Sequence, residues 1–135
     1  MRLKHFPDKP WEQAPKHLDE LDHSGNYDCQ QKIDGWRTIL TITAGPVVYL
    51  SRHDKPLDRE IEGEIKHDAQ ALKTVFPLGT QFDGEWLSRR SCSKEYNLQP
   101  MLYLLDIIKH GEQWLLGTSY RERQNILREG MMVLI

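Results

Sequence analysis

The sequence predicts an α+β fold in which a twisted antiparallel sheet packs against two helices. Three observations indicate this class. Runs of β-branched and apolar residues of strand length, notably residues 38–43 and 101–108, are separated by turn-forming residues. Apolar residues recur at helical spacing between residues 57 and 75, with charges on the opposite face. Ser119 followed by Glu122 is a capping-box pattern, which predicts a second helix over residues 119–129.

The composition limits the classes of protein that the chain can belong to. Its 135 residues suit one domain with a substantial core. Lys and Arg number 18 against 20 Asp and Glu, a net charge of −2, so any nucleic-acid contact must come from local basic patches. The two cysteines have no metal-ligand spacing, which favours a reduced, cytoplasmic setting. The chain has no signal-peptide pattern and no apolar run near the roughly 20 residues of a membrane span, so we expect no membrane contact.

Residues 1–27 are predicted to form an N-terminal arm, and residues 28–135 a domain. Pro7, Pro10 and Pro15 prevent a long helix in the arm, although residues from Pro15 to Leu21 have the pattern of a short one. The arm can cover the core or reach for a partner. Cover is favoured, because proline is ordinary at the start of loops and strands.

The segment from residue 27 to residue 51 predicts three antiparallel strands. Asp34-Gly35 is a tight-turn signal in which glycine would supply a positive φ. Lys32 is therefore expected to end one strand and Arg37 to begin the next, with both side chains at the mouth of a hairpin.

Three later segments also predict regular structure. Residues 80–87 alternate like a strand with a bend at Asp83-Gly84, and residues 101–108 predict a buried central strand. Gly130 is expected to end the second helix, and residues 131–135 to open a further strand.

Residues 32–37 have the sequence K-I-D-G-W-R, which fits the pattern K-x-D-G-x-R. This pattern resembles the lysine motif of the covalent nucleotidyltransferases, which include ATP-dependent DNA ligases, RNA ligases and mRNA-capping enzymes. Four later segments resemble further ligase elements in the same order: residues 49–52 (Y-L-S-R), 82–86 (F-D-G-E-W), 101–108 (M-L-Y-L-L-D-I-I) and 120–123 (Y-R-E-R). The second and the last of these five segments fit ligases better than capping enzymes. The chain is thus similar to the N-terminal part of a ligase adenylation domain.

The resemblance implies that Lys32 is the nucleophile. Its neutral amine would attack the α-phosphate of ATP, release pyrophosphate and carry AMP, which then activates a 5′-phosphate at a nick. The implied substrate is nicked duplex DNA, as in replication and repair, and RNA is also possible. Arg37 and Arg52 would supply positive charge that favours the neutral amine, and would bind phosphate or ribose oxygens.

The same resemblance implies roles around the nucleotide. Gln30 stands where the family commonly has an acid that recognises the adenine amino group, and its carbonyl oxygen can accept the same bond. Glu85 is implied as a contact for Mg²⁺ or ribose, and Asp34 as an acid for the nick-sealing step. The family's aromatic residue that stacks on adenine is replaced by Leu105. Tyr103, on the same strand face, is expected to give partial cover.

Nucleic-acid contacts are expected from Asp34, Arg52, Arg89 and Arg90. The last two precede serines and a lysine in a segment that fits a phosphate-contacting loop, although a solvated run of charges is an equal alternative. The three tryptophans nearest these motifs are expected in the core or at its rim, namely Trp36, Trp86 and Trp114.

Family adenylation domains continue with a further glutamate strand, a strand of paired lysines and an OB-fold domain, for which this sequence has no counterpart. We therefore expect the chain alone to be unable to seal a nick, and an uncovered sheet edge or apolar face near residues 131–135 to allow self-association. Two alternatives remain. One is a catalytically incomplete module that binds nucleotide or DNA, and the other is a fragment of an RNA ligase or a capping guanylyltransferase.

Overall fold

The computed structural model describes residues 15–28, 30, 32–88 and 100–134. The chain divides into two units, Met1–Lys32 and Ile33–Ile135. In the first unit, helix α1 covers Pro15–Ser24, which confirms the short helix predicted from Pro15. The Ser24 hydroxyl donates to the carbonyl oxygen of Leu21 over 2.7 Å, and Gly25 follows with a φ of +71°. A glycine in the left-handed region is a common helix ending.

The second unit contains a five-stranded antiparallel sheet, with helices at one side, so the predicted α+β class is confirmed. Its strand order is β2-β1-β3-β4-β5, with bounds Trp36–Thr41 (β1), Val48–Ser51 (β2), Gln81–Leu87 (β3), Met101–His110 (β4) and Gln113–Trp114 (β5). Helix α2 covers Gly63–Ala69 and continues as a 3-10 turn over Gln70–Thr74, and helix α3 covers Tyr120–Val133.

The core lies against one face of this sheet. Leu40, Phe82 and Ile107 from the three inner strands are completely buried there. Phe76, which follows the 3-10 turn, meets Phe82 edge to face with the ring centroids 4.9 Å apart, and Leu127 of α3 joins the same cluster. Burial of one such side chain contributes about 1.5–3 kcal/mol, so this cluster supplies much of the stability of the unit.

The predicted hairpin at Asp34-Gly35 is wrong. Of the described residues between 27 and 35, none lies in a strand, and β1 begins at Trp36. Gly35 is not among the glycines with positive φ. Instead, a Cβ atom at Gly35 would come within 2.3 Å of the Trp86 carbonyl oxygen, so glycine is needed for a close approach to β3.

The helix predicted over residues 57–75 is shorter than expected, because its first residues lie along the edge of the sheet. The Leu57 N–H donates to the Tyr49 carbonyl oxygen over 3.0 Å, and Pro56 forms a bridge with Leu50. Glu62 is still extended, with φ −57° and ψ 139°, so α2 begins only at Gly63. The apolar residues between 57 and 75 therefore belong to two structures: the first lies beside strand β2, and the later ones lie in or next to the helix.

The predicted end of the second helix is also wrong. Ser119 caps α3 as expected, since its hydroxyl accepts the Glu122 N–H over 3.2 Å, but the helix continues through Gly130 to Val133. A Cβ atom at Gly130 would lie 2.2 Å from the Phe76 ring, so this glycine serves packing rather than termination. Residues 131–133 are helical, so they form neither the expected strand nor an uncovered sheet edge; Ile135 is outside the described residues.

The two long strands differ from expectation in detail. The bend predicted at Asp83-Gly84 is a shift of register against β4, and β3 continues through it to Leu87. β3 is the most deeply buried strand of the sheet. β4, predicted as the buried central strand, has only Ile107 and Lys109 buried. The long apolar run of β4 therefore corresponds to a strand whose side chains are mostly half-buried on both faces, and not to the central strand of the sheet.

Candidate functional site

The face of the sheet opposite the core carries a set of charged and polar side chains. Arg37 of β1 and Asp83 and Glu85 of β3 lie on this side, because side chains alternate along a strand and paired residues share a face. Tyr103 and Asp106 of β4 pair with Glu85 and Asp83, and the register shift between Asp83 and Gly84 lets both lie on this side although they are three residues apart. The register places Arg37 and Tyr103 on either side of Glu85, and Asp106 opposite Asp83. We call these five residues the charged face.

Arg37 is held by Asp83 at the centre of the charged face. Its Nε donates to Asp83 Oδ1 over 2.8 Å and its Nη2 donates to Oδ2, so the carboxylate is bound in a two-pronged geometry. Burial raises the pKa of Asp83 and the facing Asp106 adds to this, whereas Arg37 acts in the opposite direction. The guanidinium is thus fixed in position, and its Nε and Nη2 donors are engaged within the protein.

Glu85 connects the charged face to the K-x-D-G-x-R segment. Its Oε2 accepts the Gly35 N–H over 2.9 Å, across a separation of fifty residues. Burial raises the pKa of Glu85, the Gly35 hydrogen bond and Arg37 lower it, and Asp83 and Asp34 raise it. Glu85 was expected as a contact for metal or ribose. The structure adds an anchoring role for the backbone beside Lys32, for which the sequence offered no signal because the bond is long-range.

A second arginine–aspartate pair joins helix α3 to β4. Arg123 donates from Nε to Asp106 Oδ1 over 2.9 Å and from Nη2 to Oδ2 over 3.1 Å. Next to it, Gln124 donates to the carbonyl oxygen of Leu105 over 2.7 Å. Sequence analysis placed Asp106 and Arg123 in ligase-like segments but assigned neither to the site. The signal available was an aspartate ending an apolar run, followed by an arginine near a helix start.

The residues around the expected nucleophile are exposed. Gln30 and Lys32 belong to the first unit, and Asp34 to the second. Lys32 immediately precedes Ile33, which is buried at 8% exposure. The assigned roles of these three polar residues stay predictions.

Arg52 lies in the tight turn that follows β2. The Ser51 hydroxyl accepts the N–H groups of His53 and Lys55, each over 3.2 Å, and Asp54 adopts a φ of 62°. A non-glycine residue in this region is uncommon, although Asp tolerates it better than most. The turn presents the exposed Arg52 at the end of the β1–β2 pair. Arg89 and Arg90 lie outside the described residues.

The aromatic residues near the site differ in burial. Tyr103 is partly buried and lies opposite Glu85 in the sheet. Its expected role, to cover part of the adenine base, stays a prediction. Trp86 is a core residue whose Nε1 donates to Glu62 over 2.8 Å, whereas Trp36 and Trp114 are 62% and 46% exposed. Placement in the core is therefore confirmed for Trp86, and the expectation for Trp36 and Trp114 stays a prediction.

No group of three or more His, Cys, Asp or Glu residues is arranged to hold a metal within the described ranges. Mg²⁺ at nucleotide sites needs only one or two carboxylates besides the substrate phosphates. Glu85 Oε2 accepts the Gly35 N–H, and the role of Glu85 as a metal contact stays a prediction. None of the helices in the described part of the chain is long and apolar enough to cross a membrane.

Comparison with known proteins gives a likeness of fold. No protein-family model and no curated protein matches the sequence. Among solved structures, the chain is similar to the ligase domain of LigD from M. tuberculosis, with a TM-score of 0.58 and 19% identity over 74% of this chain. The chain spans 35% of that domain's length. At this identity the comparison shows a likeness of fold over the matched part of the chain and no more.

Proposed function

We propose that this chain is part of the adenylation domain of an ATP-dependent polynucleotide ligase, with Lys32 as the nucleophile. The observation that supports this most is the hydrogen bond from the Gly35 N–H to Glu85 Oε2. It joins the K-x-D-G-x-R segment to the D-G-E strand within a fold that resembles a ligase domain. Two sequence segments that were matched separately are thus in contact in three dimensions.

The proposed reaction is attack of the Lys32 amine on the α-phosphate of ATP. A nitrogen–phosphorus bond forms, the bond to the β-phosphate oxygen breaks, pyrophosphate leaves, and the amine loses its proton. Gly35 lies three residues further along the chain, and its N–H is bound by Glu85. Mg²⁺, bound with ATP, would neutralise phosphate charge. Glu85 would hold it, with Asp34 as the second acid.

Two kinds of side chain are proposed to contact ATP: those held in place by other side chains, and those exposed to solvent. Arg37 supplies a fixed positive charge, since Asp83 already occupies two of its donors. Arg52 is exposed and is the better candidate to bind phosphate oxygens directly. Gln30 would recognise the adenine amino group, and Tyr103 would cover part of the base.

The proposed polynucleotide substrate is nicked duplex DNA, with RNA as the alternative. With a net charge of −2 the whole chain has little general attraction for phosphates, so binding depends on local residues. These would be Asp34, Arg52, Arg89 and Arg90. A ligase of this kind works where ATP and nucleic acid occur together, so we propose a cytoplasmic setting.

The test is the covalent adduct on Lys32. We expect incubation with ATP and Mg²⁺ to add the mass of AMP to the intact protein, and peptide mapping to place it on Lys32. Lys32→Ala should abolish the adduct. Lys32→Arg should do the same, because a guanidinium stays protonated and cannot attack. Lys66→Arg, in α2 on the core side of the sheet, is the matched control and should keep it.

The alternatives give different outcomes in the same experiment. A GMP adduct formed from GTP would indicate a capping guanylyltransferase. An adduct that persists in both Lys32 variants would show that the nucleophile is another residue. No adduct with either nucleotide would favour a module that binds nucleotide or DNA without chemistry.

A further inference from the structure

Four charged side chains follow one another across the second unit, from β1 through β3 and β4 to helix α3. The two at the ends are arginines, and the two in the middle are aspartates. Arg37 binds Asp83, Asp83 faces Asp106 on the neighbouring strand, and Asp106 is bound by Arg123. We call these residues the charge chain. It connects Arg37, the last residue of the K-x-D-G-x-R segment, with the first turn of α3, although Arg37 and Arg123 are more than eighty residues apart in the sequence.

The middle of the charge chain contains two like charges on paired strands. Carboxylates directly opposite each other in an antiparallel pair repel, at a Cβ separation of about 5 Å. Each is compensated by its own arginine in a two-pronged contact. If Arg123 lost its charge, Arg37 would face the uncompensated Asp106 as well as Asp83. Among the described residues, Glu85 is a third acid close enough to Arg37 to compete.

We infer that Arg123 is a positioning residue, which neutralises Asp106 and thereby leaves Asp83 as the carboxylate that holds Arg37. Helix α3 is then coupled to the site through side-chain charges and not only through packing. The consequence for nucleotidyl transfer rests on the proposed function. The coupling from Arg123 to Arg37 is a property of the fold and can be measured without ATP.

A purely mechanical role for Arg123 gives a different expectation. Its Nη1 also donates to the Thr118 carbonyl oxygen over 2.6 Å, and the neighbouring Gln124 holds the Leu105 carbonyl oxygen. These contacts fasten the start of α3 to β4 whatever the state of Asp83. If fastening were the whole role, removing both Arg123 and Asp106 would be at least as harmful as removing Arg123 alone.

The decisive measurement is a mutant series read by NMR at the Arg37 Nε–H group. We expect Arg123→Gln to accelerate hydrogen exchange of this group by roughly tenfold, the size of coupling typical of charged neighbours in one network. The double variant Arg123→Gln/Asp106→Asn should recover the slow exchange to within about threefold, because the competing charge is gone. Arg123→Lys should remain close to the original protein. Arg37→Lys assigns the signal by removing it.

Arg128→Gln, on the exposed side of the same helix, is the matched control and should leave the Arg37 signal unchanged. Circular dichroism of each variant establishes that α3 is retained. The KM for ATP in adduct formation should follow the same order, raised in Arg123→Gln and recovered in the double variant.

The two proposals fail in different ways. A double variant no better than Arg123→Gln, or an Arg37 signal that Arg123→Gln does not change, would overturn the positioning role even if the AMP adduct forms normally. An unmodified Lys32 together with a recovered Arg37 signal in the double variant would overturn the proposed function and support the positioning role.

Discussion

A glycine at position 35 is explained in one way by the local sequence and in another way by the tertiary structure. Asp-Gly is a turn signal in isolation, but here the backbone of Gly35 passes so close to Trp86 that a Cβ atom would overlap its carbonyl oxygen. The Gly35 N–H is then satisfied by Glu85. Both reasons are contacts with a strand about fifty residues away, so no local pattern could predict them.

Tyr49 provides a prediction at the level of a single residue. Its side chain is 1% exposed, and its hydroxyl has no hydrogen-bond partner among the described residues. Burial, and secondarily Asp58, raises the pKa of Tyr49 to about 12. Tyr49→Phe removes a buried hydroxyl that makes no hydrogen bond to offset the loss of its contact with water. We therefore expect the free energy of unfolding at neutral pH to rise by up to about 1 kcal/mol.

The pH dependence of Tyr49→Phe gives an independent check. The pKa of tyrosine in the unfolded chain is near the ordinary value of 10.0, lower than in the folded state. The phenol therefore contributes stability that is fully present below pH 10 and is lost as the pH rises towards 12. Denaturant titrations across this range should show a steeper alkaline decline in the original protein than in Tyr49→Phe. Equal slopes would show that the hydroxyl ionises as readily in the folded protein as in the unfolded chain, as a solvated phenol does.

At the level of elements, boundaries set by local contacts were predictable, and boundaries set by contacts with distant segments were not. The first residue of α3 follows from the Ser119 cap, a contact within one helical turn. The continuation past Gly130 depends on the Phe76 ring, which comes from a distant segment. Likewise, residues 56–57 leave the helical pattern because they pair with β2. Periodicity records which residues are apolar, but it does not record which element they will pair with.

The contact between α3 and Phe76 can be tested directly. Gly130→Ala places a methyl group in the space of the Phe76 ring, and we expect it to lower the free energy of unfolding by about 1–3 kcal/mol. Phe76→Leu provides room, so the double variant should lose less than the sum of the single changes. Gly117→Ala, with no atom within 4 Å of the added carbon, is the control. Additive losses in urea titrations would contradict this contact.

For the whole molecule, the strand and helix patterns predicted the fold class, and the ligase-like segments occur along the elements in the same order. The first segment ends in β1, the next three lie on β2, β3 and β4, and the last begins α3. The same segments predicted only part of the charged face and of the arginine paired with it. Arg37 and Glu85 were expected at the site, whereas Asp83, Asp106 and Arg123 were not. Their importance arises from the pairing of side chains across β1, β3, β4 and α3, which becomes visible only when the register is known.

The last prediction concerns binding of nicked duplex DNA by a chain with a net charge of −2. Because the overall charge gives little attraction, the salt dependence of binding should report a small number of local contacts. Each phosphate contact contributes about 0.9 to the slope of log K against log salt concentration. Arg52 is exposed on a turn fixed by Ser51, so Arg52→Gln should weaken binding and reduce this slope by about one contact. Arg59→Gln, another exposed arginine in the same unit, should change neither quantity. Fluorescence anisotropy over a series of low salt concentrations measures both, and equal slopes for the two variants would exclude Arg52 from the DNA contact.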